Sequence, residues 1–509
     1  MNILLVYPSY PDTFWSFRHA LKFIGKKSTF PPLGLLTVAA MLPREWSVRL
    51  VDLNVRPLQD DDFAWADLVF ISAMSIQKES VREVLALTRQ AGVRTVAGGP
   101  LFTTGYEDFP EVDHLVLNEA ELTLPAFLLD LAAGTPRRIY RDARFADIRQ
   151  TPVPRWNLID MRHYSAMNLQ YSRGCPFDCE FCDITGLFGR RPRTKSTVQI
   201  SAELDSLHAY GWRGGVFFVD DNFIGDKNRL KKEILPAVIT WQKIHRYPFG
   251  FFTEASIDLA DDPELMALMV QAGFEEVFIG IETPNEESLQ ESRKHHNRNR
   301  DLTDAVKRIQ RSGLQVQGGF IVGFDSDPAT IFERQIRFIQ ESGIVTAMVG
   351  LLTALRGTRL HQRLAAEGRL LATATGNNTD ITLNFVPRMN SETLVRGYGT
   401  ILATIYAPRH YYARLKTFLL EFRPLRKKTI NLRWNWSSFR ALGTSMLFLG
   451  IFGKERFHFW KLFFWSLLRR PRLFPLTITL AIYGFHFRKI AEQVTGGILD
   501  EREPLTDAP

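Results

Sequence analysis

Residues 175–182 read Cys175-Pro176-Phe177-Asp178-Cys179-Glu180-Phe181-Cys182, and they hold all three cysteines of the chain. The spacing is C-x3-C-x2-C. Three thiolates this close cannot serve separate metals, but they can cap three irons of one cubane cluster. An ordinary [4Fe–4S] cluster takes four cysteines. Three leave one iron without a protein ligand, as a catalytic zinc keeps one position open for its substrate. Plainer readings fit less well. Buried structural cysteines do not usually all fall in one octet. A structural zinc wants four ligands, and the nearest histidine, His163, lies well upstream. A disulfide would strand one thiol.

A chain of 509 residues exceeds one ordinary core, so roughly two to four domains are expected. With 45% hydrophobic and 23% charged residues the composition is globular. The start, Met1-Asn2-Ile3-Leu4-Leu5-Val6-Tyr7-Pro8, has no basic lead and runs straight into a strand pattern, so no signal peptide is expected. No apolar run reaches the length of about 18 residues that a spanning helix needs. The expected location is the cytoplasm, which suits an oxygen-sensitive cluster. The net charge of +8 is uneven: residues 401–509 carry 18 Lys and Arg against 7 Asp and Glu. The cationic excess therefore belongs to the C-terminal segment.

Residues 1–135 alternate short apolar runs (2–7, 47–52, 67–72, 94–97, 114–117) with helix-like stretches. This predicts a parallel sheet with helices on both faces. Ligands of such sheets bind beyond the carboxyl ends of the strands. Ser72, Ser75 and Gln77 follow the third run, Gly98-Gly99-Pro100 the fourth, and Asn118-Glu119 the fifth. No G-x-G-x-x-G dinucleotide fingerprint is present. Residues 136–165, rich in Arg, Asp and Pro, read as a surface linker.

Residues 166–370 repeat strand and helix six times, beginning with the strand that leads into the cysteines (167–171, 215–219, 249–253, 277–281, 316–322, 347–352). That is a partial (β/α)6 TIM-type barrel, with its chemistry at the C-terminal strand ends. Asp220-Asp221-Asn222, Glu254-Ala255-Ser256 and Glu282-Thr283 fall at successive ends, and Gly318-Gly319-Phe320-Ile321-Val322-Gly323 forms the fifth strand.

Residues 371–495 read as a helical domain, basic and aromatic. Phe457-His458-Phe459-Trp460-Lys461-Leu462-Phe463-Phe464-Trp465 is followed by Arg469-Arg470-Pro471-Arg472. Cations beside Trp and Phe suit helices lying in a membrane interface, or the wall of an apolar substrate channel. A helical cap packed on the barrel is the plainer alternative, and nucleic-acid binding is not favoured because no RNA-binding module is recognisable. Residues 496–509 are expected to be a disordered tail.

The cysteine octet, with an aromatic residue (Phe181) before its last cysteine, resembles the radical S-adenosylmethionine (SAM) enzymes. The α/β domain directly before it resembles the cobalamin-binding, class B members. Stretches such as 281–289 and 319–328 look like the branch that contains the hopanoid C-2 methylase. The resemblance implies that Cys175, Cys179 and Cys182 hold a [4Fe–4S] cluster whose open iron chelates SAM. It places Phe181, Asp220, Glu254, Ser256, Glu282 and Ile321 around SAM. It places Ser72, Gln77, Gly98, Gly99, Pro100 and Glu119 around cobalamin in a flavodoxin-like (Rossmann-type) domain. The D-x-H-x-x-G motif whose histidine ligates cobalt in mutases is missing, since this domain has only His19 and His114. Gln77 or water would then cover the lower face of cobalt. The implied activity is methylation of an unactivated carbon of a hydrophobic, lipid or terpenoid substrate. It needs an external electron donor of flavodoxin or ferredoxin type. The basic, aromatic C-terminal helices add a peripheral place on the inner face of the membrane to the cytoplasmic location expected above. Two alternatives are a radical cyclase or oxidoreductase without methyl transfer, and a non-catalytic cobalamin and cluster sensor.

Overall fold

Apolar runs such as Leu68-Val69-Phe70-Ile71 are buried on both faces, which is what a parallel sheet covered by helices requires. In the computed structural model, which describes residues 1–424 and 436–500, such runs build two parallel sheets. The first contains β1 (Asn2–Tyr7), β2 (Ser47–Asp52), β3 (Leu68–Ser72), β4 (Arg94–Gly98), β5 (His114–Val116) and β6 (Ile139–Tyr140). Their spatial order is β2-β1-β3-β4-β5-β6. This flavodoxin-like order has its switch point between β1 and β3, where a ligand crevice opens.

The second sheet follows sequence order. It runs β7 (Ala166–Leu169), β10 (Gly215–Phe218), β11 (Gly250–Ala255), β12 (Phe274–Glu282), β13 (Gln315–Val322) and β14 (Ala347–Leu351), all parallel. These are the six strands expected of a partial barrel. A two-stranded antiparallel ribbon, β8 (Ser172–Arg173) with β9 (Arg193–Thr194), clasps the cysteine loop at its base.

Residues 136–165 are not simply a surface linker. Ile139–Tyr140 adds a sixth strand to the first sheet, and Ala146, Ile148 and Trp156 are buried. The composition misled because the Arg and Asp residues face water in local pairs, Arg144–Asp142, Arg149–Asp147 and Arg162–Asp160, while Ala146, Ile148 and Trp156 between them point inward.

The C-terminal segment is helical, as expected. Leu394, Tyr398, Ile401, Leu402 and Ile405 form one face of the helix Ser391–Ile405, which packs on the barrel helix Ile331–Ser342 and on the last helix, Phe474–Asp500. The hydroxyl of Tyr406 donates to the carbonyl of Ala347 in β14. Phe487 of the last helix stacks on Phe14, whose segment follows β1, with centroids 5.3 Å apart. These helices therefore join the barrel to the first domain. The last helix continues to Asp500, so residues 496–500 are ordered helix rather than tail. The rest of the expected tail, 501–509, lies outside the described residues. Among the described residues no helix is long and apolar enough to cross a membrane.

Candidate active site

The cysteine loop leaves β8 through Gly174, whose φ is +92°. A Cβ there would lie 2.9 to 3.1 Å from the carbonyl oxygens of Gly189, Phe188 and Arg191, so only glycine fits. The loop is pinned by backbone bonds from Cys175 N–H to Gly189 (3.2 Å) and from Glu180 N–H to Ser292 (2.9 Å). All three thiols are free and partly buried. Burial pushes each of them up, Cys182 furthest, while the ammonium of Lys294 pulls Cys175 and Cys179 back. Iron removes that penalty, because a coordinating thiol is deprotonated outright. Among the described residues no three such side chains are gathered for a single ion.

Carboxylates ring the barrel mouth beside this loop. The carboxylate of Asp220 accepts from the backbone N–H groups of Tyr171 (3.3 Å) and Ser172. That of Asp221 accepts from Gly174 N–H at 2.9 Å. Burial raises them to about 7 and about 6 respectively. Glu254, at the end of β11, is raised to about 8 by burial and by Asp221, Asp220 and Glu282. It has no hydrogen-bond or ion-pair partner among the described residues. A half-buried carboxylate without a donor, open to the barrel mouth, asks for a cationic or hydroxyl-bearing ligand. Ser256 is held further out, bonded to Asn222 (3.2 Å) and Asp258.

Glu282 ends β12 with φ +64°, a left-handed conformation that costs a non-glycine residue about 1–3 kcal/mol and marks functional sites. Its carboxylate is paired with Lys294 at 2.5 Å, both side chains being buried. Lys294 also lies 5.8 Å from the Phe181 ring. Phe181 packs against Phe324, with ring centroids 6.2 Å apart, and Ile321 of the fifth strand packs against the same apolar cluster. Lys294 itself was not legible in the sequence. It sits in the unremarkable run Ser292-Arg293-Lys294, and only the fold brings it to the cysteines.

The residues expected around cobalamin gather at the carboxyl end of the first sheet. A Cβ on Gly98 would lie 2.6 Å from the Val116 carbonyl. Gly99 has φ +91°, and a Cβ there would lie 2.7 Å from Ser72 Oγ. The fold alone therefore requires both glycines, and Pro100 starts the helix that follows. The Gln77 carboxamide is held by the backbone: its oxygen accepts from Met74 N–H (2.8 Å) and its nitrogen donates to the Pro8 carbonyl. It is not free to cover a cobalt face without breaking those bonds, whereas Met74, beside it, is exposed. Near the switch point a cleft of about 390 Å³ opens between Ser9, Asn54, Pro57 and Ser80.

Glu119 does something the sequence did not suggest. It accepts from Arg173 (2.8 Å), Arg193 (2.9 Å) and the Ala146 N–H (2.8 Å). Glu121 accepts from Arg173 at 2.8 Å and from the Thr151 hydroxyl at 2.7 Å. These two arginines belong to the ribbon β8–β9 below the cysteine loop, so the first domain is clamped directly to the cysteine-bearing loop.

Residues 26–128 match a B12 binding domain, residues 169–354 the Radical SAM superfamily, and residues 358–499 a domain of unknown function, DUF4070. The chain is 41% identical to an uncharacterized methyltransferase of Synechocystis sp., over 97% of this chain and 94% of that one. It is 35% identical to the hopanoid C-2 methylase of Rhodopseudomonas palustris, over 92% of this chain and 90% of that one. The chain belongs to the cobalamin-dependent radical SAM methyltransferases. Solved structures share the fold of this methyltransferase. The radical SAM methyltransferase TsrM of Kitasatospora setae, with cobalamin and a [4Fe–4S] cluster bound, gives a TM-score of 0.59 at 17% identity, covering 78% of this chain and 85% of TsrM. OxsB, a cobalamin-dependent SAM radical enzyme, gives 0.62 at 14% identity over 99% of this chain and 80% of OxsB. The cofactors of this methyltransferase are a [4Fe–4S] cluster, SAM and cobalamin. The residues present fit them: three free thiols facing one ammonium, an unpartnered carboxylate in the barrel mouth, and a crevice at the strand ends above.

Proposed function

We propose that this methyltransferase places a methyl group on an unactivated carbon of an apolar, polycyclic lipid or terpenoid. The observation that carries the reading is the likeness to a hopanoid C-2 methylase across 92% of the chain, the C-terminal helices included. When bound, the cluster and SAM supply a carbon-centred radical, and cobalamin supplies the methyl group. The chain's own part is to hold and to exclude. Cys175, Cys179 and Cys182 would take three irons and leave the fourth for SAM. Glu254 offers its carboxylate to the cationic or hydroxyl groups of SAM in a water-poor mouth, where positioning sets what a reactive radical meets. The Lys294–Glu282 pair supports the cysteine loop from the other side. The arginine clamp on Glu119 and Glu121 fixes the cobalamin domain over that mouth, so the methyl donor and the radical source face one substrate.

Electrons come from a flavodoxin- or ferredoxin-type donor, and the work is done on the cytoplasmic face of the membrane, where such a substrate is dissolved. The test is anaerobic turnover with a hopanoid triterpene, SAM and a reductant. One methylated product should form for each 5′-deoxyadenosine and each S-adenosylhomocysteine. Deoxyadenosine without S-adenosylhomocysteine would overturn methyl transfer in favour of a cyclase or oxidoreductase. Absence of SAM cleavage under any reductant would favour a sensor.

A further inference from the structure

The helix Arg456–Arg469 has two unlike faces. Phe459, Leu462, Phe463 and Ser466 are buried against the other C-terminal helices. Phe457, Lys461, Phe464 and Leu468 recur at intervals of three and four and form the outward stripe. Phe457 is 75% exposed and Leu468 78%. Beside the helix, the preceding turn adds Ile451 and Phe452, the latter 72% exposed. Large apolar side chains exposed in such number along one helix face and its preceding turn mark an interaction surface.

Charge identifies what covers it. Residues 436–472 contain seven Lys and Arg (Arg440, Lys454, Arg456, Lys461, Arg469, Arg470, Arg472) and one acid, Glu455. Glu455 is buried and paired with Arg488 at 2.6 Å, so it offers no negative charge outward. Lys461 stands within the apolar stripe, where its stem can lie along apolar surface while its ammonium reaches outward. Lys454 is paired with Glu492 at 3.1 Å, so the outward charge is carried by the exposed Arg456, Lys461, Arg469 and Arg472. An outward face of aromatic and aliphatic side chains beside this cationic excess complements the headgroup layer of an anionic bilayer.

We propose that this face of the DUF4070 segment is a membrane-docking surface, with the helix Arg456–Arg469 lying in the plane of an anionic lipid leaflet and Phe452, Phe457, Phe464 and Leu468 entering its acyl boundary. The assignment rests on the apolar-substrate reading only for its purpose, since docking brings the enzyme to the phase in which the substrate resides. Its evidence is the surface itself.

The test is flotation of the full-length protein with phosphatidylcholine vesicles, with and without about one third phosphatidylglycerol. The wild type should float with the anionic vesicles and bind them at least tenfold more tightly than the neutral ones, given roughly fivefold per cation near an anionic surface. Phe457→Ser/Phe464→Ser/Leu468→Ser should lose at least tenfold in vesicle binding while cleaving SAM at the wild-type rate in solution. Arg456→Glu/Lys461→Glu/Arg469→Glu should lose the preference for anionic lipid. Vesicle binding that is absent in the wild type, or unchanged in both variants, overturns the proposal. So does a wild-type dimer in gel filtration that the serine variant dissolves, which would make the face a contact between two copies. Because flotation needs no substrate, failure of docking and failure of the methylation reading are separately visible.

Discussion

Replacing Arg173 by methionine removes the cation that Glu119 and Glu121 share across the domain boundary. Its side chain is 12% exposed and those of the glutamates 2% and 8%, so water cannot take its place. Glu119 keeps Arg193, and the orphan is Glu121. Burial works against the ionised Glu121, but Arg173 outweighs it and holds the carboxyl at about 2, against an ordinary 4.5. A displacement of that size corresponds to roughly 3 kcal/mol. Breaking a buried ion pair costs about 3–5 kcal/mol by independent reasoning. The sign follows from the depressed carboxyl: its contribution is complete above the ordinary value of 4.5 and is lost as pH falls toward about 2.

The assay is native-state hydrogen exchange over residues 144–151, where the Ala146 N–H is bound by Glu119 and Thr151 by Glu121. At neutral pH, Arg173→Met should lower protection there on the order of a hundredfold, the equivalent of roughly 3 kcal/mol of local opening. Arg173→Met/Glu121→Leu should recover most of it, because the uncompensated charge is then gone. Protection within about threefold of the wild type, or a double variant as open as the single, would refute the clamp.

Lys294→Met strands the buried Glu282 and should destabilise the barrel by about 3–5 kcal/mol, read as a lower urea midpoint; Glu282→Gln/Lys294→Met should restore much of it. Glu254 is held near 8, so below that pH a cationic ligand must first displace its proton. SAM affinity, measured by equilibrium dialysis between pH 6 and 8, should rise up to about tenfold per pH unit in the wild type and stay flatter in Glu254→Gln. Gly99→Ala forces a Cβ to within 2.7 Å of Ser72 Oγ at φ +91°, and should lower both thermal stability and cobalamin retained per chain. Gly34→Ala, which has nothing within 4 Å, should leave both unchanged.

Both sheets were legible because their strands are apolar runs at regular spacing, and a parallel sheet buried on two faces leaves that trace. The cysteine octet and the strand-end carboxylates were legible because local sequence carries them. Four features were not. Lys294 reaches the cysteine loop from a segment with no pattern of its own. Glu119, at a strand end where a cofactor contact was expected, is instead bonded to Arg173 and Arg193, more than fifty residues on, and no local rule finds such partners. The linker looked solvated because its Arg–Asp pairs dominate its composition, while Trp156 carries its packing. In the C-terminal helices, composition announced aromatics and cations together but could not separate Phe459 and Phe463, which pack inward, from Phe457 and Phe464, which face out.

The central claim is that three thiols hold one cluster and leave a corner of it for SAM. The direct measurement is 5′-deoxyadenosine formed under a low-potential reductant by anaerobically reconstituted protein, alongside its iron and sulfide content. Wild type should carry four irons per chain, as a [4Fe–4S] cluster requires, and cleave SAM. Cys175→Ala, Cys179→Ala and Cys182→Ala should each lose cleavage and most of the iron. A variant that retains both at wild-type level would contradict the account.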